Sequence, residues 1–235
     1  MSTKDKAEID SEYHCDHCKR SFKRPANLFK HLCEQKRRWM DKDKPANRIA
    51  YMAWLQFYKQ IQPTRKKKEY ADFIGSAYYL GFLRFGTYCA EARVINVDRY
   101  VDYLLKEKIA LDNWSSDSVY TKYLIFYLRM ENGMDAVRRS VEYMLELSES
   151  EHIQLRDVFR YVNSNKLCHY ISSGKISPWV VYQSKTGIEF LSNLNDDQRA
   201  VIFDYIDPER WALKFKRDGE EVANVADVLN QIDGL

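Results

Sequence analysis

From Pro45 onward, apolar residues recur at spacings of three and four, the period of helices that bury one face. Ile49, Met52, Trp54, Leu55, Phe57, Tyr58 and Ile61 mark one such helix, and Pro63 ends it. A longer pattern runs from about Lys67 to Glu91 through Tyr70, Phe73, Ile74, Tyr78, Leu80, Phe82, Leu83 and Phe85. Gly75, Gly81 and Gly86 inside it signal a break or a close helix crossing. Val97-Asp98 opens a segment holding Tyr100, Val101, Tyr103, Leu104 and Leu105. Ser115, Ser116 or Asp117 then caps a helix with Val119, Tyr123, Leu124, Phe126 and Leu128, and Gly133 separates it from Val137, Val141, Met144, Leu145 and Leu147. Shorter elements follow, among them Ser177-Pro178-Trp179, which reads as a cap with proline in the first helical turn. No repeat of fixed period and no low-complexity tract interrupts the series, which excludes a solenoid.

Composition agrees with helices. Only 8 Gly and 5 Pro among 235 residues leave too few turn formers for a many-stranded sandwich, while 45% apolar and 14% aromatic content is ample for a core. No apolar run approaches the roughly 18 residues of a membrane span, and the polar start MSTKDKAEID lacks the apolar stretch of a signal peptide. The expectation is a soluble chain in the cytoplasm, without membrane contact.

The net charge of +3 conceals a strong asymmetry. Residues 19–68 hold sixteen Lys and Arg against Glu34, Asp41 and Asp43, an excess of thirteen positive charges, while residues 69–235 carry a net −7. A basic block of this density is suited to polyanions, because neutralising phosphates releases condensed counterions.

Chemistry concentrates in the same region. Three of the five cysteines, Cys15, Cys18 and Cys33, lie within nineteen residues, which suits metal ligation better than a disulfide framework. Cys15 and Cys18 are two residues apart, and twelve residues later comes His31. In its first three ligands, Tyr13-His-Cys15-Asp-His-Cys18 through Leu28-Phe-Lys-His31 resembles the C2H2-type zinc-finger family, with Tyr13, Phe22 and Leu28 at that family's three apolar positions. The resemblance implies a ββα unit too small to fold on burial alone, held by one structural zinc ion. The second histidine of the family is missing, and Cys33 is the nearest replacement, giving a Cys-Cys-His-Cys site at Cys15, Cys18, His31 and Cys33. Two residues on a regular helix point about 200° apart, so the helix must end or tighten at His31 for Cys33 to return to the metal. His14 and His17 are rival ligands that would strain the cysteine knuckle.

Matching the family's spacing places Arg24, Asn27 and Lys30 where its helix meets successive bases, with residue types suited to guanine and adenine edges. Lys36, Arg37 and Arg38, and after an aromatic-rich segment Lys66, Lys67 and Lys68, extend the electropositive surface. Tyr51, Trp54, Phe57 and Tyr58 between them are candidates for stacking on unpaired bases. The run from Leu28 to Trp39, with Phe73-Ile-Gly-Ser-Ala-Tyr-Tyr and Gly174-Lys-Ile-Ser-Pro178-Trp179-Val-Val, also resembles an uncharacterised protein family of large tailed phages. A fainter likeness over residues 115–215 is to phage replicative helicase loaders, which bind forked and single-stranded DNA.

Signs of catalysis are sparse. The chain has no glycine-rich phosphate loop, no G-x-S-x-G elbow and no His-Glu-x-x-His pair. Cys89 and Cys168 sit among apolar neighbours, and Asp196-Asp197, Asp204 with Asp207, and Glu220-Glu221 read as helix-start or surface charge. The overall expectation is a mainly α protein: residues 1–12 flexible, a zinc finger at 13–35, a basic linker at 36–48, and a compact multi-helix domain at 49–235. The expected function is that of a non-catalytic accessory protein binding nucleic acid, DNA in the first instance, in phage replication, recombination or transcription. The alternatives are an adaptor that docks an enzyme through its finger or helical body and, third, a metal-dependent nuclease.

Overall fold

The computed structural model describes residues 13–61 and 67–232. The chain divides after Ser116 into two compact units. The stretch 49–235, read above as one helical domain, spans that division.

The first unit begins with two short antiparallel strands, β1 (Tyr13–His14) and β2 (Ser21–Phe22), in which Tyr13 faces Phe22. Helices α1 (Pro25–Lys30), α2 (Glu34–Met40), α3 (Pro45–Ile61), α4 (Tyr70–Ile74), α5 (Tyr79–Ala92) and α6 (Val97–Lys106) follow, then a 3-10 turn at Leu111–Asn113. The expected long helix from Lys67 to Glu91 is broken at Gly75, the C-cap of α4, which separates it from α5. Residues 36–48, read as a linker, form most of α2 and the first turn of α3, with Pro45 pre-set for a helix start.

The α3–α5 pair is the centre of this unit. Gly86 makes the close crossing possible: a Cβ there would lie 2.1 Å from the Ala46 carbonyl oxygen and 2.9 Å from the Ala50 nitrogen. Around the crossing, Trp54, Phe73, Phe82, Phe85, Tyr100 and Trp114 are fully buried. Their polar tips are satisfied, with Trp54 Nε1 donating to Ser76 Oγ at 3.3 Å, Trp114 Nε1 to Ile109 O at 2.9 Å and Tyr100 OH to Trp114 O at 3.2 Å. Trp54 is therefore core rather than a stacking platform, and Tyr51, Phe57 and Tyr58 are half-buried against rings of the same cluster. These aromatics are flanked by basic clusters in sequence, yet the helical period turns them inward.

The second unit comprises α7 (Asp117–Met130), α8 (Gly133–Glu151), a 3-10 turn at Leu155–Asp157, α9 (Val158–Tyr161), α10 (Ser164–Ser172), α11 (Pro178–Gln183), α12 (Lys185–Ser192), α13 (Asp196–Ile206), α14 (Pro208–Arg217) and α15 (Gly219–Gln231). The expected cap is present: Ser177 Oγ accepts the Trp179 N–H, and Pro178 occupies the first turn. α11 buries Pro178, Trp179, Val180 and Val181 and packs against α8, α12 and α15, while α10 packs on α13.

A buried polar network ties this core together. Glu131, 2% exposed, accepts from Arg139 NH1 at 2.6 Å and NH2 at 3.0 Å and from Ser177 Oγ at 2.6 Å. Arg139 Nε donates to Gly174 O at 2.9 Å, and the Ser177 N–H donates to Ser140 Oγ at 2.8 Å. Burial alone would lower the Arg139 pKa, but its bidentate pair with Glu131 prevails and raises it. The network fixes the α7–α8 turn and the α10–α11 loop against each other.

Candidate metal centre

The four predicted ligands come together. Cys15 leads into a tight knuckle in which the Lys19 N–H donates to Cys15 O at 2.8 Å and the Cys15 N–H to Arg20 O at 3.0 Å. Lys19 takes the left-handed conformation (φ 60) that the turn requires. α1 stops after Lys30, and His31 is already extended (φ −71, ψ 121), as the two-residue spacing to Cys33 demands. Cys33 then serves as N-cap of α2, its Sγ accepting the Lys36 N–H at 3.4 Å. One cysteine thus both ends the finger and starts the next helix.

The ligand atoms, Sγ of Cys15, Cys18 and Cys33 and Nε2 of His31, all lie within 4.8 Å of one another. Cys15 Sγ is 3.9 Å from Cys33 Sγ, and Cys18 Sγ is 3.2 Å from His31 Nε2. A tetrahedral zinc with Zn–S of about 2.3 Å and Zn–N of about 2.0–2.1 Å holds its sulfurs about 3.8 Å apart and sulfur from nitrogen about 3.6 Å. The donor set, its spacing and its chemistry therefore fit a zinc-finger-like site. Among the described residues no other group of three or more His, Cys, Asp or Glu ligand atoms gathers in this way.

Electrostatics separate the cysteines. Burial pushes both the Cys15 and Cys33 thiols up. At Cys15, hydrogen bonds from the backbone N–H groups of Cys18 and His17 outweigh it and hold the thiol below its ordinary range. At Cys33 burial wins, despite the Lys36 N–H, and the thiol lies above it. The rival histidines have other contacts: His14 Nδ1 pairs with Ser21 Oγ at 3.0 Å, and His17 packs on Trp39 with ring centroids 5.5 Å apart.

Little else holds the finger. Tyr13, Phe22 and Leu28 are half-buried, and α1 has no buried residue. Its cysteine ligands join it to α2, which is anchored in turn on α4 and α5. Trp39 meets Tyr70 edge-on at 5.8 Å, the Tyr70 hydroxyl donates to Arg38 O at 3.1 Å, and Arg38 NH1 donates to Ile74 O at 2.6 Å. The Arg38 guanidinium also lies 4.1 Å from the Tyr79 ring centroid and pairs with Glu34.

The residues expected to meet nucleic acid fall into three groups. Arg24, Asn27, Lys30, Arg37 and Lys67 are exposed. Lys36 and Lys68 are half-buried, Lys36 Nζ reaching His31 O at 3.4 Å and Lys68 Nζ lying 5.4 Å from the Tyr58 ring centroid. Arg38 is committed to Ile74, Tyr79 and Glu34, a packing role that sequence reasoning missed; its signal is the Glu34–Arg38 spacing and the adjacent Trp39. Lys66 lies outside the described residues.

Cys89 and Cys168 are each 2% exposed, and burial pushes the Cys89 thiol up to about 12 and the Cys168 thiol above its usual value. Both are inert core side chains rather than nucleophiles. Among the described residues no helix is long and apolar enough to cross a membrane.

No family model, curated protein or solved structure matches this chain.

Proposed function

We propose that the chain is a zinc-finger protein that binds nucleic acid, DNA in the first instance, and does so without catalysis. The observation that carries this reading is the Cys15, Cys18, His31 and Cys33 cluster, which anchors a short helix whose Arg24, Asn27 and Lys30 are all exposed. The zinc is structural: four protein ligands leave no open position for a water, and the ion supplies the cross-link that this nearly coreless lobe lacks. Arg37 and Lys67 extend the contact to the phosphate backbone, while Arg38 holds α2 in place. The phage-family resemblance favours a role in phage DNA replication, recombination or transcription, in the cytoplasm of the host.

A binding panel of duplex, forked and single-stranded DNA and RNA, at two salt concentrations with and without a zinc chelator, tests this reading. Each phosphate contact contributes a slope of about −0.9 in log affinity against log salt for duplex DNA. A total slope of about −2 to −4, from the two phosphate contacts up to all four exposed cations and abolished with binding by the chelator, is expected. Equal binding with and without zinc refutes it.

One observation favours a second reading, an adaptor whose finger docks on a protein. Phe29 is 88% exposed and Leu32 48% exposed, an apolar pair on the finger that phosphate contacts do not use. Under that reading Phe29→Ala abolishes capture of the partner after nuclease treatment, and no nucleic acid in the panel binds.

A further inference from the structure

In the second unit, α7 and α14 supply the walls of a groove of about 410 Å³ that brings together four cations, Arg129, Arg210, Lys214 and Arg217. The convergence is invisible in the charge count, since these residues belong to a stretch that is acidic overall. Three of the four already face carboxylates. Arg210 Nε lies 2.7 Å from Asp207, Lys214 Nζ lies 3.3 Å from Asp218, and Arg217 grips Asp218 through Nε at 2.7 Å and NH2 at 2.9 Å. Arg129 is half-buried, and among the described residues no ion pair holds its guanidinium. Burial is the main cause that lowers its pKa, helped by the neighbouring Arg210 charge and opposed by Asp207 and Asp204; the lining itself presents four cations and no carboxylate residue.

The rest of the lining is apolar. Met130 and Leu213 border the groove at 64% and 69% exposure, above Trp211, which is buried. Met and Leu side chains flanking a cleft rich in arginine match the mixed apolar and arginine composition of protein interfaces. We propose that this groove docks an acidic segment of a partner protein, with a carboxylate on Arg129 and a neighbouring apolar side chain seated between Met130 and Leu213. A nucleic acid fits it less well. Asp207 and Asp218 already engage three of the four cations, which leaves one guanidinium for a single anionic group rather than a row of them for a chain of phosphates, and the thioether and isobutyl walls offer a sugar–phosphate backbone nothing to bind. A peptide that presents one or two carboxylates around an apolar anchor matches both halves of the lining, and the groove is large enough for such an anchor.

Selection of a random twelve-residue peptide library against the full, zinc-loaded chain tests the proposal. Enriched peptides should carry Asp or Glu flanking a Leu, Ile, Met or Phe. By fluorescence anisotropy, the best of them should bind at least ten-fold more weakly to Arg129→Glu and several-fold more weakly to Leu213→Ser. Leu213 is exposed and Arg129 half-buried, so circular dichroism of both variants, with Arg129→Lys as a charge-preserving control, verifies that the unit stays folded. Zinc chelation should leave the peptide affinity unchanged, so a failure of the finger reading and a failure of this one are distinguishable. Selection without enrichment in carboxylates, affinity indifferent to Arg129→Glu, or displacement of the peptide by a single-stranded oligonucleotide at micromolar concentration would overturn the proposal.

Discussion

Arg37 and Arg38 are neighbours of one chemical type on one short helix, yet their surroundings assign them opposite effects. The Arg38 side chain is 16% exposed, donates to Ile74 O at 2.6 Å and lies 4.1 Å from the Tyr79 ring centroid. A hydrogen bond from a charged donor contributes roughly 1.5–3 kcal/mol. The cation–π contact adds about 0.5–2 kcal/mol, and the Glu34 pair, exposed on its acidic side, adds only about 0.3–0.5 kcal/mol. These contributions do not sum, because truncation lets water reach part of the freed carbonyl. Arg38→Met, which keeps the aliphatic stem, is therefore expected to destabilise the first unit by about 2–3 kcal/mol. Arg37→Met at an exposed position should cost less than about 0.5 kcal/mol. Hydrogen exchange of peptides spanning α2 to α5 under increasing urea reads this unit by itself. In nucleic-acid binding the order reverses, with Arg37→Met reducing the salt slope by about 0.9 and Arg38→Met leaving it unchanged. Equal stabilities for the two variants, or an equal loss of slope, would refute the division of labour.

Further outcomes follow from the same geometry. Glu131→Ala strands the Arg139 charge in the core of the second unit and should cost about 3–5 kcal/mol there, read from the exchange of peptides spanning α7, α8 and α11. Gly86→Ala sets a methyl 2.1 Å from a backbone oxygen, which no rotamer change relieves. Urea titration should show a loss of at least about 1–3 kcal/mol in the first unit, and an unperturbed variant would mean that α3 and α5 do not cross so closely. Arg217, burial notwithstanding and with help from Lys214, holds the Asp218 carboxyl down at about 2. A folded pKa below the unfolded value of about 3.9 stabilises at higher pH and loses that stabilisation as the pH falls from about 4 toward 2. Acid titration of Asp218→Asn against the parent chain should lack this component, and superimposable curves would show that the pair contributes nothing.

What could be read in the sequence was local. The spacing of Cys15, Cys18 and His31 reports a knuckle and a helix within twenty residues, and the geometry of two residues on a helix required α1 to stop where it does. Ser177-Pro178 likewise announces the start of α11 through backbone chemistry alone. What escaped depended on distant partners. Arg38 looks like its basic neighbours until Ile74 and Tyr79 arrive from more than thirty residues away. Tyr51, Trp54, Phe57 and Tyr58 lie between two basic clusters in a way that suits base stacking, and only the packing of Phe73, Phe82 and Trp114 shows that they face inward. Glu131 carries no motif, because its partners Arg139 and Ser177 are recruited by the fold.

The Cys15, Cys18, His31 and Cys33 cluster, proposed to hold zinc, is the foundation of the functional reading, and metal analysis with X-ray absorption at the zinc edge of the purified full chain tests it most directly. One zinc per chain is expected, with three sulfurs at about 2.3 Å and one nitrogen at about 2.0–2.1 Å. Absence of zinc, or a shell with fewer than three sulfurs and extra oxygen ligands, would contradict it.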